Sequence, residues 1–365
     1  MIKIKDIIKV IEEFAPINYQ ESFDNSGLVV GDVNKEIDKA LLTLDVTEEV
    51  VDEAIGIGAN IIISHHPVIF SGLKKITGGN MVEKIVLKAI KNDIALYSAH
   101  TNIDSVVGGV NSKICQILGL ENCKVLDPTS VKLKKITTYV PEDNAEKLRS
   151  ALFEAGAGHI GNYNSCSFNS EGYGTFKALE NSNPYVGQLN ELHKEKEIKV
   201  ETVFPEFIQG KIISALMENH PYEEPAFDIY TLDNKINNVG IGMFGCLPKK
   251  VDAKDFLLSL KDKFNVPCIK HTKIIKDKIQ KVAVCGGSGS YLLRNAKSVK
   301  ADIFISGDFK YHQFFEAENK IIIADIGHFE SEQFTIDIFY DILTKKIANF
   351  VVCKSQIETN PIKYL

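Results

Sequence analysis

Residues 40–66 read ALLTLDVTEEVVDEAIGIGANIIISHH. An apolar run comes first, then a stretch whose apolar residues recur at three and four, then a second apolar run that stops at two histidines. Short apolar runs bounded by turn residues suit strands buried on both faces, and the three-and-four recurrence suits a helix with one buried face. Strand, helix, strand in that order predicts a βαβ unit and a parallel sheet. The unit continues with a second helical pattern, NMVEKIVLKAIKN at 80–92, and a third strand, DIALYSAH at 93–100.

The same rhythm returns near the other end of the chain. KVAVCGGSGS (281–290), ADIFISGD (301–308) and KIIIADIGH (320–328) read as strands, each followed by a helix-compatible stretch such as SYLLRNAKSV or HFESEQFTIDIFYDILTKK. The two halves read as parts of one sheet. Between them the texture changes to KKITTYVP, a helix around DNAEKLRSALFEAG, a middle rich in Gly, Asn and Ser, a helix around PEFIQGKIISALMENH, and a closing strand at AFDIYTLD. A β-α-β-β-α-β order of that kind suggests a ferredoxin-like domain. The expected architecture is a discontinuous α/β core over 1–132 and 273–365 with a mostly parallel sheet, interrupted by an inserted α+β ferredoxin-like domain over 133–272.

At 365 residues the chain is longer than a single hydrophobic core usually serves, which also favours two domains. A hydrophobic fraction of 44% with 25% charged residues is the balance of an ordinary globular protein. A formal net charge of −6 argues against non-specific adhesion to nucleic acid, which needs a basic surface to displace counterions. The basic stretch Lys132–Lys135 reads as a solvated strand flank. Seven scattered cysteines without a CxxC pair favour neither a disulfide framework nor a thiolate zinc site. The N-terminal MIKIKDIIKVIEEFAP mixes charged and apolar residues at helical spacing, unlike a signal peptide. No run of about 18 apolar residues marks a membrane span. A cytoplasmic location is expected.

The chemistry gathers at strand ends, where open α/β sheets bind their ligands. The run 59–63 ends in Ser64, His65, His66; the strand 94–98 leads to His100 and Asp104; the run 321–326 leads to His328 and Glu332. His328 and Glu332 are four apart and share a face if a helix begins there. A lone histidine at a strand end is more often a hydrogen-bonded structural group than a ligand, but three strand ends that each offer an imidazole outweigh coincidence. Imidazoles and carboxylates without thiolates suit divalent metals, zinc first, with iron, manganese, cobalt and nickel as alternatives. Three histidines and two acids exceed what one tetrahedral ion needs. We therefore expect two divalent ions held by His65, His66, Asp104, His328 and Glu332, with Glu332 as the bridge, at the roughly 3.5 to 4 Å spacing of hydrolytic pairs. His100 and His312 are candidates for acid/base work, and Asp308, four before His312, for orienting a ligand.

Other features have plainer readings. Gly286–Gly289 follows a strand and either cradles a phosphate or makes a tight turn, and it lacks the Lys-Ser/Thr of a Walker loop. Cys285 reads as a small buried residue. Asp24 and Asn25 suit a turn more than a substrate contact. Asp45 suits helix capping or site support equally. In the insert, His159, Asn162, Tyr163, His220, Glu223 and Glu224 lie in loops that read as interface more than ligand site, with prolines 221 and 225 fixing the backbone.

Taken together, ESFDNSGLVVG, LDVT, IISHHPVIF, SAHTNID, VAVCGGSG, ISGDFKYH and DIGHFESE resemble the family of GTP cyclohydrolase I type 2 homologues, or Ngg-one-interacting-factor-three-like proteins, across essentially the whole chain. The resemblance implies a dinuclear centre in which His66 and Asp104 hold one ion, His65 and His328 the other, and Glu332 bridges. GAGHIGNYNSCSF and NHPYEEPAFDIY resemble the inserted domain of the longer members, similar to nitrogen-regulatory and copper-tolerance modules. Toroidal homohexamers, as dimers of trimers or trimers of dimers, are implied in the same way.

The functional expectation is a metal-dependent hydrolase, cyclohydrolase-like or phosphoesterase-like, whose partner is a small-molecule substrate such as a nucleotide. The alternative is a non-catalytic metal-binding or regulatory hexamer. Open coordination positions favour catalysis, and closed ones would favour storage.

Overall fold

The computed structural model describes residues 2–365, which form two compact units. One runs up to Thr129 and resumes at Asn238; the other is Ser130–Asn237.

The first unit carries the quoted strands in a five-stranded sheet, in the order Val351–Lys354, Lys39–Thr43, Ile61–Ser64, Ala95–Ser98, Gly27–Val30. The first four strands are parallel and the last is antiparallel. Ile61, Ile62 and Ile63 are all fully buried, because both faces of the sheet are covered. Alternation sends Leu41, Ile62 and Leu96 to one face, under the helices Glu48–Ile57 and Met81–Lys91, where they meet Val50, Val51, Ile85 and Ala89. Leu42, Ile61, Ile63 and Tyr97 enter the opposite core. Helix Glu48–Ile57 starts where the Thr47 side chain accepts from the Val50 N–H, and it stops at Gly58 in a left-handed conformation.

The C-terminal strands build a second sheet instead of extending the first. Its order is Lys270–His271, Ile322–Asp325, Ile303–Gly307, Lys278–Ser288, Gly240–Asp252, Glu121–Pro128. Only Ile322–Asp325, Ile303–Gly307 and Lys278–Ser288 are mutually parallel; the outer strands run antiparallel. This corrects the expectation of one sheet. Each sheet gives one face to a common core, where Ile61, Ile63 and Tyr97 from the first share a cluster with Val282, Ile303 and Ile322 from the second. The cluster is completed by helices that carry Ile7 and Ile11, Ile114, Leu260, and Phe339. A strand unassigned from sequence, Val351–Lys354, crosses back to edge the first sheet beside Lys39–Thr43.

The second unit is a four-stranded antiparallel sheet in the order Phe227–Lys235, Lys132–Pro141, Leu192–Pro205, Ser167–Lys177. Helices Ala145–Glu154 and Gln209–Asn219 cover one face and enclose Ile136, Val140, Leu148, Leu152, Val200, Phe204, Ile212 and Leu216. The expected insert ended at 272. The residues after Asn237 instead pair with the core, since strand Gly240–Asp252 lies between Glu121–Pro128 and Lys278–Ser288. Among the described residues no helix is long and apolar enough to cross a membrane.

Candidate metal centre

Register sets the site. Thr43, Ser64 and Ser98 are aligned partners across three parallel strands, so the residues that follow them emerge side by side at one sheet edge. From the first strand comes Asp45, from the second His65 and His66, and from the third His100 and the short helix Thr101–Asp104. In the second sheet Ser306 and Asp325 are likewise aligned, and Asp308 and the helix His328–Glu332 follow them.

The five predicted ligands converge. Glu332 Oε2 lies 3.0 Å from His66 Nε2 and 3.1 Å from His328 Nε2, and those two nitrogens are 3.2 Å apart. Glu332 Oε1 faces the other way, 3.6 Å from His65 Nε2, which is itself 3.8 Å from Asp104 Oδ1. One carboxylate is thus shared by two sets of donors, His66 with His328 and His65 with Asp104. This grouping differs from the expected pairing of His66 with Asp104 and His65 with His328. Consecutive residues leaving a strand point to opposite sides. His65 turns inward and is fully buried, and His66 turns outward and keeps 22% of its side chain exposed.

Each imidazole is oriented from behind. His65 Nδ1 donates to the Ala99 carbonyl (3.0 Å), His66 Nδ1 to Asp45 Oδ1 (2.7 Å), His328 Nδ1 to Asp308 Oδ2 (2.7 Å) and His100 Nδ1 to Asp24 Oδ1 (2.8 Å). An Nδ1–H committed in this way leaves a lone pair on Nε2, the tautomer that metal ligation requires. Lone pairs of three imidazoles and two carboxylates then face one another, which is unfavourable unless cations sit among them. His65 Nε2 and Asp104 Oδ1 are buried without any hydrogen-bond partner, an expense that folded proteins avoid unless a ligand completes the site. The donor set therefore fits divalent metal.

The proton affinities report the same crowding. Burial opposes a charge on His66, but its bonds to Asp45 and Glu332 outweigh this and hold its pKa up at about 9. His328, opposed by burial but bonded to Asp308 and Glu332, is raised to about 11. Burial, reinforced by the Glu332 charge, pushes the Asp104 carboxyl up to about 8. Glu332 goes the other way: burial would raise it, but the three surrounding imidazoles hold it far below the usual range.

His100 joins His65 and His66 at the site, with ring centroids 5.2 and 5.4 Å away. His312 is not brought there: it is exposed on the 3-10 helix Tyr311–Ala317 beside Tyr311 and Phe315. Asp308, four residues earlier, supports His328 instead. Asp45 does not cap the following helix, a task performed by Thr47. Asp24 does more than shape a turn: it accepts from His100, from the Thr101 N–H and hydroxyl, and from Ser26. Only its position in a stretch with Asn and Ser just before a strand was visible in sequence, and that pattern also marks ordinary turns.

The glycine run resolves against a phosphate cradle. Its amides are already engaged, Gly286 with Asn111, Gly287 with Ser331 and Gly289 with Ser306. Gly287, at φ +60°, is there to make room: a Cβ would lie 2.2 Å from Glu332 Oε1. Cys285 is buried, and burial with the charges of Asp104 and Glu332 pushes its thiol well up, away from the reactive thiolate form. His159, Asn162 and Tyr163 are exposed, and His220 is consumed structurally, bonded to the Tyr139 carbonyl and the Tyr222 N–H.

Residues 2–361 match the model of the Duf34/NIF3 (NGG1p interacting factor 3) family. A Bacillus subtilis protein named GTP cyclohydrolase 1 type 2 homolog is 38% identical over 371 aligned positions, covering 99% of this chain and 98% of that protein. Among solved structures, a Bacillus cereus protein related to NIF3 is 39% identical with a TM-score of 0.87, covering 100% of this chain and 99% of that one. A Staphylococcus aureus protein is 30% identical with a TM-score of 0.78 and the same coverage.

Proposed function

The chain belongs to the Duf34/NIF3 family, and on that premise we propose that it is a divalent-metal-dependent hydrolase with a dinuclear site, acting on a nucleotide or a related phosphorylated small molecule. The observation that carries this reading is the asymmetry of the ligand cage. His65 and Glu332 are 0% and 3% exposed, while His66 and His328 keep 22% and 32% of their side chains open. Donors buried on one side and open on the other suit a site that must admit a substrate, and a storage site would close both. Ions bound there would supply Lewis acidity toward the scissile bond.

The chain's own groups supply the rest. Glu332 offers one oxygen to each donor set and so fixes their separation. Asp45 and Asp308 hold His66 and His328 in the ligating tautomer. His100, fixed through Nδ1 by Asp24, has Nε2 left to take up and return a proton beside the cage. A nucleotide substrate draws support from the name shared by the curated relatives.

We read the 130–237 unit as the ferredoxin-like insert. Supporting this are its strand-helix-strand-strand-helix-strand order and the placement of its fourth strand beside the first and its third between the first and second. A cytoplasmic homohexamer completes the reading, and sedimentation velocity tests the assembly.

The functional test is elemental analysis of the purified protein followed by turnover of a nucleotide panel that includes GTP, wild type against Glu332→Ala. Turnover that requires both metal and Glu332 supports the hydrolase. Bound metal with no turnover across the panel would replace it with the non-catalytic, metal-binding reading.

A further inference from the structure

The second unit holds a cavity of about 720 Å³, within the range of small-molecule sites. Its floor is the sheet face that the two helices leave uncovered. Tyr139, Glu197 and Phe176 from three adjacent strands line it, and Tyr185 and Tyr222 stand over it from loops. The Tyr222 ring centroid is 6.0 Å from that of Phe176 and 6.3 Å from that of Tyr185, tilted by 60° and 52°. Three aromatic rings thus cluster in its lining.

At that space sits a carboxylate that should be costly. Glu197 is 8% exposed, and its Oε1 accepts from the Tyr222 hydroxyl at 2.8 Å. Among the described residues no salt bridge reaches it: Lys196 pairs with Glu142 and Glu171, and Lys199 with Glu201. The backbone makes way for it, since a Cβ on Gly174 of the neighbouring strand would lie 2.1 Å from Glu197 Oε2. Overall the lining brings four carboxylates, Glu171, Glu197, Glu223 and Glu224, against the ammonium groups of Lys177 and Lys199. At its edge Lys194 Nζ already lies over the Tyr173 ring, 4.2 Å from its centroid.

A buried carboxylate without a paired cation beside a cluster of aromatic rings is the recognition chemistry of an organic ammonium ion, which ring faces attract and a carboxylate neutralises. An anion would be repelled. A metal ion is disfavoured because, among the described residues, the groups of three converging His, Cys, Asp or Glu donors all lie at the centre built on His65, His66 and Glu332. We propose that this cavity binds a small organic ammonium ion, its charge against Glu197 and its carbon atoms against Phe176, Tyr185 and Tyr222.

Isothermal titration of the full chain with choline, compared with its uncharged carbon isostere 3,3-dimethylbutan-1-ol, tests the proposal. Saturable choline binding is expected, with the alcohol weaker by about tenfold or more. Glu197→Gln should weaken choline by a similar factor. Tyr185→Leu, a change at a ring that is 56% exposed, should also weaken it without touching the buried hydrogen bond, and so stands if Glu197→Gln fails to fold. Equal binding of choline and the alcohol would overturn the proposal, as would heats that never saturate or wild-type affinity in a folded Glu197→Gln or Tyr185→Leu protein.

Discussion

Gly287→Ala is the sharpest test of how the metal centre is built. The added Cβ would lie 2.2 Å from Glu332 Oε1, 3.0 Å from its Cδ and 3.3 Å from His328 Cε1. Ordinary carbon–oxygen approach is about 3.3 Å, so the carboxylate must retreat by roughly 1 Å. Metal–ligand distances tolerate only about 0.2 Å, so a shared ligand moved that far no longer serves either donor set. Loss of a supporting hydrogen bond behind a ligand costs about 10- to 100-fold in affinity, and displacing the ligand itself should cost at least the upper end of that range. A separate contribution comes from holding alanine at φ +60°, about 1 to 2 kcal/mol of stability. Gly58→Ala isolates it, because Gly58 sits at φ +67° with nothing within 4 Å of its added Cβ. Competition against a chelator, with thermal unfolding of the metal-free proteins, separates the two effects. Both variants should lose similar backbone stability, and only Gly287→Ala should lose metal. A Gly287→Ala protein that binds metal as tightly as wild type would refute the argument that this glycine exists to admit Glu332.

Asp45→Asn and Asp308→Asn should each lower metal affinity by about 10- to 100-fold, measured by chelator competition, because each frees an imidazole to choose the wrong tautomer. Asp24→Asn should leave metal content unchanged and lower turnover by about 10²-fold or more, since it orients His100 and none of the five ligands. In chelator-treated protein, His66 at about 9, His328 at about 11 and Asp104 at about 8 all hold protons that the unfolded chain has released. Such groups stabilise fully below their unfolded pKa values, and that contribution is lost as pH rises through the folded ones. The stability of metal-free protein should therefore fall between pH 7 and pH 10, by of order 2 kcal/mol after allowing for the solvent around the half-open rings, read as a falling thermal midpoint, and metal should abolish the fall. A midpoint that rises over this interval would contradict the protonation pattern.

Much of the site was legible because its residues sit where strand patterns break. Buried strands announce themselves as unbroken apolar runs, and a histidine pair or an acid at the end of such a run stands out against it. The same local logic yielded the five donors that converge and the helices at 48–57 and 81–91. It failed where distant segments had to be paired. An apolar strand says that both its faces are covered and nothing of which strand lies beside it, so two sheets were read as one, and Val351–Lys354 went unassigned. The residues after Asn237 looked like the insert because strand and amphipathic helix patterns are common to both units. Asp24 reads as a turn residue, Asp45 leaves capping and site support open, and Asp308 stands as an orienting group with no stated target, because their partners are between 20 and 76 positions away in sequence.

The sequence by itself determined which residue types stand at the strand ends, and with them the class of ion that the centre suits. Local periodicity and the chemistry of donor atoms need no knowledge of distant contacts. Only the tertiary structure decided which donors face one another, His65 with Asp104 and His66 with His328 about one Glu332. That grouping depends on the register that levels Thr43, Ser64 and Ser98, on the side to which each consecutive histidine turns, and on the bare backbone of Gly287 beneath the shared carboxylate.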